Sequence, residues 1–229
     1  CLIILDLVFT FLTSSNILKL IILEYITMIR FQHSHEEQIN MYSLRHSNDI
    51  YLFSNLFSED MCNKLIDYTN KNAKNHLKLG KGQNVQGYED ILQLKNPLFK
   101  PISSKIVDIG KFINRKYMIP FGSFNNYNHE DIQIRKIYGP TKIHVDGPTY
   151  DTSDGHVSIT VEQIRTLSVI IALNGDYDGG EIVFPCQNFK TKLKQGEAIV
   201  FPPYWTHPHY TEELKNNTFR YTINTWLSF

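Results

Sequence analysis

The stretch Ile143-His144-Val145-Asp146-Gly147 alternates apolar and polar residues in the manner of a strand. Side chains two apart on a strand point to the same side. His144 and Asp146 can therefore grip one metal ion while Val145 points away. Alone, the pair is a weak signal in a chain with nine histidines, and a solvated polar turn accounts for it as well. The residues around it decide between the two.

From Ile132 onward the chain breaks into short apolar runs punctuated by glycine, proline and asparagine. Strands are expected at 132–138, 142–146, 166–173, 181–184, 189–193, 198–201 and 218–227. Asp178-Gly179-Gly180, Gly196 and Asn216-Asn217 mark turns between them. Seven or eight short strands with tight turns predict a sandwich or barrel. Residues 169–173 are apolar on both faces, as in a strand covered by helix on one side and by a facing sheet on the other. Two helices precede the strands. Ser58 reads as an N-cap followed by Glu59 and Asp60, with Met61, Leu65 and Tyr68 at helical spacing. A second helix is expected over 102–117, with Ile106, Ile109 and Ile113 on one face. Residues 77–96 read as a loop or irregular hairpin, and 28–50 as a polar surface lead-in.

Composition sets bounds. The chain has 229 residues, 42% of them apolar and 13% aromatic, enough for a sizeable core. Net charge is zero, which gives no bulk electrostatic case for nucleic acid or an anionic membrane. The three cysteines, Cys1, Cys62 and Cys186, are widely spaced and odd in number. They build no disulfide framework and suggest a reducing compartment such as the cytoplasm, or indifference to redox.

Residues 1–27 differ in texture from the rest and stand apart from the single domain expected over 28–229. Two apolar runs are broken by Thr13-Ser14-Ser15-Asn16, and Asp6, Lys19 and Glu24 interrupt them. Neither reaches the roughly 18 to 20 clean apolar residues of a spanning helix. A stretch translated upstream of a start at Met28 or Met41, a signal or membrane anchor, and an ordinary packed helix are competing readings.

Further motifs follow the His-x-Asp pair in a fixed order. Tyr138-Gly139-Pro140 precedes it. Arg165-Thr166-Leu167-Ser168 opens a strand ending at Leu173-Asn174. Gly179-Gly180-Glu181-Ile182-Val183-Phe184-Pro185, Gly196, Phe201-Pro202, a histidine and Arg220-Tyr221-Thr222 come next, before Trp226. In this order, over somewhat under half the chain, the sequence resembles the iron(II)- and 2-oxoglutarate-dependent dioxygenases of the prolyl 4-hydroxylase-like family. The resemblance implies a mainly β fold with flanking helices: a double-stranded β-helix, the cupin-like jelly roll. It places the jelly-roll core at 130–229 and helical support at 51–120.

The resemblance also implies a site. His144, Asp146 and a distal histidine would bind Fe(II), a donor set that leaves three adjacent positions open for 2-oxoglutarate and dioxygen. Trp205-Thr206-His207-Pro208-His209 offers two candidates for that histidine. His209, 11 residues before Arg220, fits the family's spacing better than His207, 13 before it. Arg220 would hold the far carboxylate of 2-oxoglutarate through its planar guanidinium. On the strand that carries it, Arg220, Thr222, Asn224 and Trp226 share one face, and Phe219, Tyr221 and Ile223 the other. Thr222 is expected to add a hydroxyl to that carboxylate and Tyr138 a phenol. Arg165 is expected to be structural. Residues 148–160 are expected to form a lid or a surface loop.

The implied reaction turns 2-oxoglutarate and dioxygen into succinate and carbon dioxide and a substrate C–H into C–OH. A prolyl residue in a peptide or protein is the first expectation for substrate, with ascorbate as an accessory reductant. A small metabolite or a nucleobase is the alternative, though neutral charge disfavours nucleic acid. A jelly-roll binding module without turnover is a reading from another class, disfavoured by the complete ligand set. A hydrolytic metalloprotein is disfavoured by the lack of a dedicated general base.

Overall fold

The computed structural model describes residues 44–79, 89–94, 100–117, 128–129, 132–147 and 165–228. The expectations for residues 1–27 and 148–160 lie outside them. Among the described residues, no helix is long and apolar enough to cross a membrane.

A hairpin comes first: β1 (Leu44–Ser47) and β2 (Ile50–Phe53), joined by the two-residue turn Asn48-Asp49. It lies partly within the stretch expected to be lead-in. Helix α1 (Glu59–Lys71) follows, capped by Ser58, whose hydroxyl accepts from the Met61 N–H at 3.3 Å. Of residues 77–96, β3 (Leu77–Leu79) and β4 (Glu89–Leu94) pair antiparallel, which agrees with the hairpin alternative of the two expected. Helix α2 (Lys100–Tyr117) follows.

The strands of the second half are β5 (Asn128–His129), β6 (Ile132–Ile137), β7 (Thr141–His144), β8 (Arg165–Ala172), β9 (Asp178–Gly179), β10 (Ile182–Phe184), β11 (Phe189–Thr191), β12 (Ala198–Phe201), β13 (His209–Thr211), β14 (Leu214–Lys215) and β15 (Arg220–Ser228). A large sheet runs β1-β2-β12-β8-β15-β6-β4-β3, with β5 also on β15. A small sheet runs β11-β10-β13-β7, and β9 pairs with β14. All of the pairings are antiparallel. This is the jelly roll, with the two helices on the outer face of the large sheet.

Strand alternation sorts the core into two layers. Ile134, Val169, Ile171, Val200, Tyr221 and Ile223 face the helices and pack with Cys62 and Leu65 of α1 and with Ile102, Ile106, Ile109 and Ile113 of α2. Ala172, Ile199 and Phe201 face inward and pack with Ile182 and Phe184 of the small sheet. Central strands of the large sheet are thus apolar on both faces, as residues 169–173 predicted. The inner face of β15 is the exception. It carries Arg220, Thr222, Asn224 and Trp226, and every residue of the strand is buried.

Gly196 locks the helical layer to the sheet. Its carbonyl accepts from the N–H groups of Leu56 and Phe57 at 2.9 and 3.3 Å, and its own N–H donates to Ala172. Its φ is +77°, and a Cβ there would meet the Phe57 carbonyl. Alanine at a positive φ destabilises by more than about 1 kcal/mol. Gly196→Ala is therefore expected to lower Tm by several degrees, at roughly 2–4 °C per kcal/mol for a chain of this size, measured by thermal unfolding.

Candidate metal centre

Strand β13 pairs with β7 so that His209 stands directly opposite His144. Their ring centroids are 4.4 Å apart. β7 ends at His144, so Asp146 lies two residues past the strand rather than on it. Its carboxylate still reaches both rings: Oδ1 is 3.5 Å from His144 Nε2 and Oδ2 is 3.8 Å from His209 Nε2. The three ligand-type atoms lie within 4.8 Å of one another, a grouping that can hold a metal ion. His207 is not part of it.

The rings are oriented through their other nitrogens. His144 Nδ1 lies 2.7 Å from the Lys142 carbonyl and His209 Nδ1 lies 3.2 Å from the His207 carbonyl. A carbonyl only accepts, so both rings are Nδ1–H tautomers with a bare Nε2 lone pair, the form a metal requires. Asp146 is held from the opposite sheet. Ser168 Oγ donates to Oδ2 at 2.7 Å, and Arg165 Nη1 donates to the Asp146 main-chain carbonyl at 2.8 Å. Arg165 also stacks on Trp226, its guanidinium carbon 3.8 Å from the ring centroid. Its part is the structural one expected.

Electrostatics favour the metal-binding protonation state at two of the three ligands, Asp146 and His209. Burial pushes the His209 pKa down to about 4, and the Asp146 charge opposes only part of that. Burial would raise the Asp146 carboxyl, but the His144 hydrogen bond, the His209 charge and the Ser168 hydroxyl outweigh it and hold the group well below its usual range. Burial lowers His144 as well, but Asp146 and the Lys142 carbonyl reverse this, and the net shift is upward. Asp146 is thus ionised and His209 neutral near neutral pH.

A pocket beside β13 lies over the inner face of β15. Arg220, Thr222, Asn224, Tyr177, Thr191 and Thr211 line it together with aliphatic side chains. Arg220 is buried and its Nη1 donates to the Gly180 carbonyl at 2.7 Å. Thr222 lines the pocket with its hydroxyl turned to Asn224 Oδ1 at 2.6 Å. Tyr138 sits elsewhere. Ile137 is the residue registered with Arg220, so Tyr138 falls on the other face. There its ring lies 6.1 Å from Phe219, with the Lys136 ammonium 5.5 Å from its centroid. Tyr177, which the sequence reading did not single out, is the tyrosine that lines the pocket. Its place follows from β9, too short to be read as a strand. Ser168 was likewise quoted only as part of a motif. Its role depends on sheet-to-sheet packing, which no local pattern reveals.

Residues 133–228 match the family model described as the 2OG-Fe(II) oxygenase superfamily. That stretch carries His144, Asp146 and His209 together with Arg220. Known proteins similar to the chain include prolyl hydroxylases. It is 27% identical over 161 residues to a putative prolyl 4-hydroxylase of Acanthamoeba polyphaga mimivirus. That match covers 68% of this chain and 61% of the viral protein, so the chain spans under two thirds of that relative. The viral collagen prolyl hydroxylase of Paramecium Bursaria Chlorella virus-1, solved with 2-oxoglutarate, superposes with a TM-score of 0.60. It is 20% identical and matches 79% of this chain and 96% of its own. A Trichoplax adhaerens prolyl hydroxylase, solved with a hypoxia inducible factor peptide, gives a TM-score of 0.53 at 14% identity over 94% of each chain.

Two outcomes test the centre. Ser168→Ala removes a bond to Asp146 with almost no change of volume. It is expected to weaken Mn(II) binding about 10- to 100-fold, read by calorimetry, while Tm of the metal-free chain moves little. Because a proton competes with metal for His144, whose pKa is raised above 6.5, affinity is expected to rise with pH and level off once that ring is neutral. Mn(II) titrations between about pH 6 and pH 8 read the slope; the opposite slope contradicts this assignment.

Proposed function

We infer that the chain is a 2-oxoglutarate-dependent dioxygenase with Fe(II) held by His144, Asp146 and His209. One observation carries this: two Nε2 lone pairs and one carboxylate converge beside a pocket containing a buried arginine. The donor set fits Fe(II). Two neutral imidazoles and one carboxylate leave coordination positions open, and Arg220 in the pocket lining supplies a cation that can pair with a carboxylate. When bound, iron supplies the redox centre at which 2-oxoglutarate and dioxygen yield succinate and carbon dioxide while one oxygen atom enters a substrate C–H bond.

The chain's own residues do the positioning. Arg220, fixed by Gly180, presents its guanidinium to the far carboxylate of 2-oxoglutarate. Thr222 shapes the same end of the pocket, with Tyr177 and Thr191 opposite. Phe184 and Phe201 pack on the His209 ring, at 5.4 and 4.7 Å between centroids, and keep water from that side. Ser168 and Arg165 hold Asp146 in place. The substrate class we assign is a prolyl residue in a peptide or protein, supported by the prolyl hydroxylases among its relatives by sequence and by fold.

Succinate release from 2-oxoglutarate on adding Fe(II) tests the reaction, and mass spectrometry of proline-containing peptides tests the substrate. His144→Ala is expected to abolish turnover. Arg220→Ala is expected to raise the 2-oxoglutarate KM roughly 10- to 100-fold, the worth of a charge-assisted hydrogen-bonded pair. No succinate, even uncoupled, together with no 2-oxoglutarate binding would leave a jelly-roll binding module in its place.

A further inference from the structure

Of the two histidines in Trp205-Thr206-His207-Pro208-His209, only His209 joins His144 and Asp146. The hydrogen bonds of the other define a different task. His207 is buried, at 5% exposure. Its Nε2 lies 3.0 Å from the main-chain carbonyl of Asn48. That oxygen only accepts, so Nε2 carries the proton. Nδ1, 2.9 Å from Thr206 Oγ1, is then the acceptor of the threonine hydroxyl. His207 is thus the opposite tautomer to His144 and His209, and its Nε2 has no lone pair to offer a metal.

Its main chain faces the centre instead. The His207 carbonyl is the acceptor for His209 Nδ1. Asn48 stands with Asp49 in the β1–β2 turn, with φ values of 48° and 60°. Positive φ at both central residues is the two-residue hairpin geometry that asparagine tolerates. Asn48 Nδ2 donates to the Gln187 carbonyl at 3.3 Å, and Gln187 Nε2 donates to the Thr206 carbonyl at 2.7 Å. These bonds close a circuit through Asn48, Gln187, Thr206 and His207. It ties the loop before β13 to the helical turn after β10 and to a hairpin outside the superfamily match at 133–228.

We propose that His207 is a positioning residue: it clamps the loop before β13 to the Asn48 turn and thereby fixes the tautomer and aim of His209. This rests on the reading of His144, Asp146 and His209 as a metal site. The test is Mn(II) affinity of the full chain, by calorimetry or electron paramagnetic resonance. The unaltered chain is expected to bind Mn(II); if it does not, the metal reading itself falls, and the clamp with it. His207→Leu is expected to weaken binding about 10- to 100-fold. His207→Gln, whose amide can reach the Asn48 carbonyl, is expected to stay within about threefold of the unaltered chain. His209→Ala is expected to abolish binding. A leucine variant that binds as tightly as the unaltered chain, or a glutamine variant no better than the leucine one, overturns the clamp. Should the leucine variant fail to fold, Gln187→Leu cuts another link of the circuit at a half-buried side chain. Several-fold weaker binding supports the clamp, and unchanged binding overturns it.

Discussion

Two imidazoles face each other across an antiparallel pair, and the rest of the site is arranged around that register. β13 and β7 set His209 opposite His144. A slip of one residue would turn every side chain of β13 to the other face of the small sheet. His209 would then point away and Tyr210 inward. The register is held on both sides of the histidine pair. Thr141 and Thr211 exchange hydrogen bonds between their main chains and hydroxyls at 2.9 to 3.1 Å, and His207 ties the entry to β13. Pairing alone would be weak, since β13 has three residues and β7 four. Side-chain bonds supply what strand length does not.

The large sheet contributes differently. Burying four polar side chains on the inner face of β15 would be costly unless each is satisfied. Arg220 donates to the Gly180 carbonyl and Thr222 donates to Asn224, whereas Trp226 lies under the Arg165 guanidinium with its buried indole N–H lacking a hydrogen-bond partner among the described residues. One long strand can carry this polarity because its other face packs Tyr221, Ile223 and Leu227 against the helical layer. The helices, far from the chemistry, thus stabilise the strand whose inner face forms the pocket.

The elements legible in the sequence are those whose burial leaves a local pattern. β8, β12 and β15 are long or apolar enough on one or both faces to announce themselves, and α1 carries its cap and acidic first turn. What was not legible depended on register. Tyr138 and Arg220 looked like neighbours by motif, but pairing of Ile137 with Arg220 puts the tyrosine on the far face. Tyr177 lines the pocket instead, from the residue just before β9, a strand too short to leave a sequence signature. His207 and His209 share a spacing of two and were indistinguishable by periodicity. Hydrogen bonding to Asn48, 159 positions away in the chain, separates them. The β1–β2 hairpin itself was hidden because four buried residues at 50–53, apolar on both faces, show no alternation.

Ligands on one sheet and their supports on the other make the centre a property of sheet-to-sheet packing. His144 and His209 belong to the small sheet and Asp146 follows it. Ser168, Arg165 and Arg220 belong to the large one. Phe184 from one sheet and Phe201 from the other meet at a centroid distance of 4.8 Å, and both touch the His209 ring. The same aromatic contacts that join the sheets therefore strip water from His209 and depress its pKa. Stability of the sandwich and basicity of a ligand are set by the same side chains. A change in that core alters the metal site even where it spares every ligand.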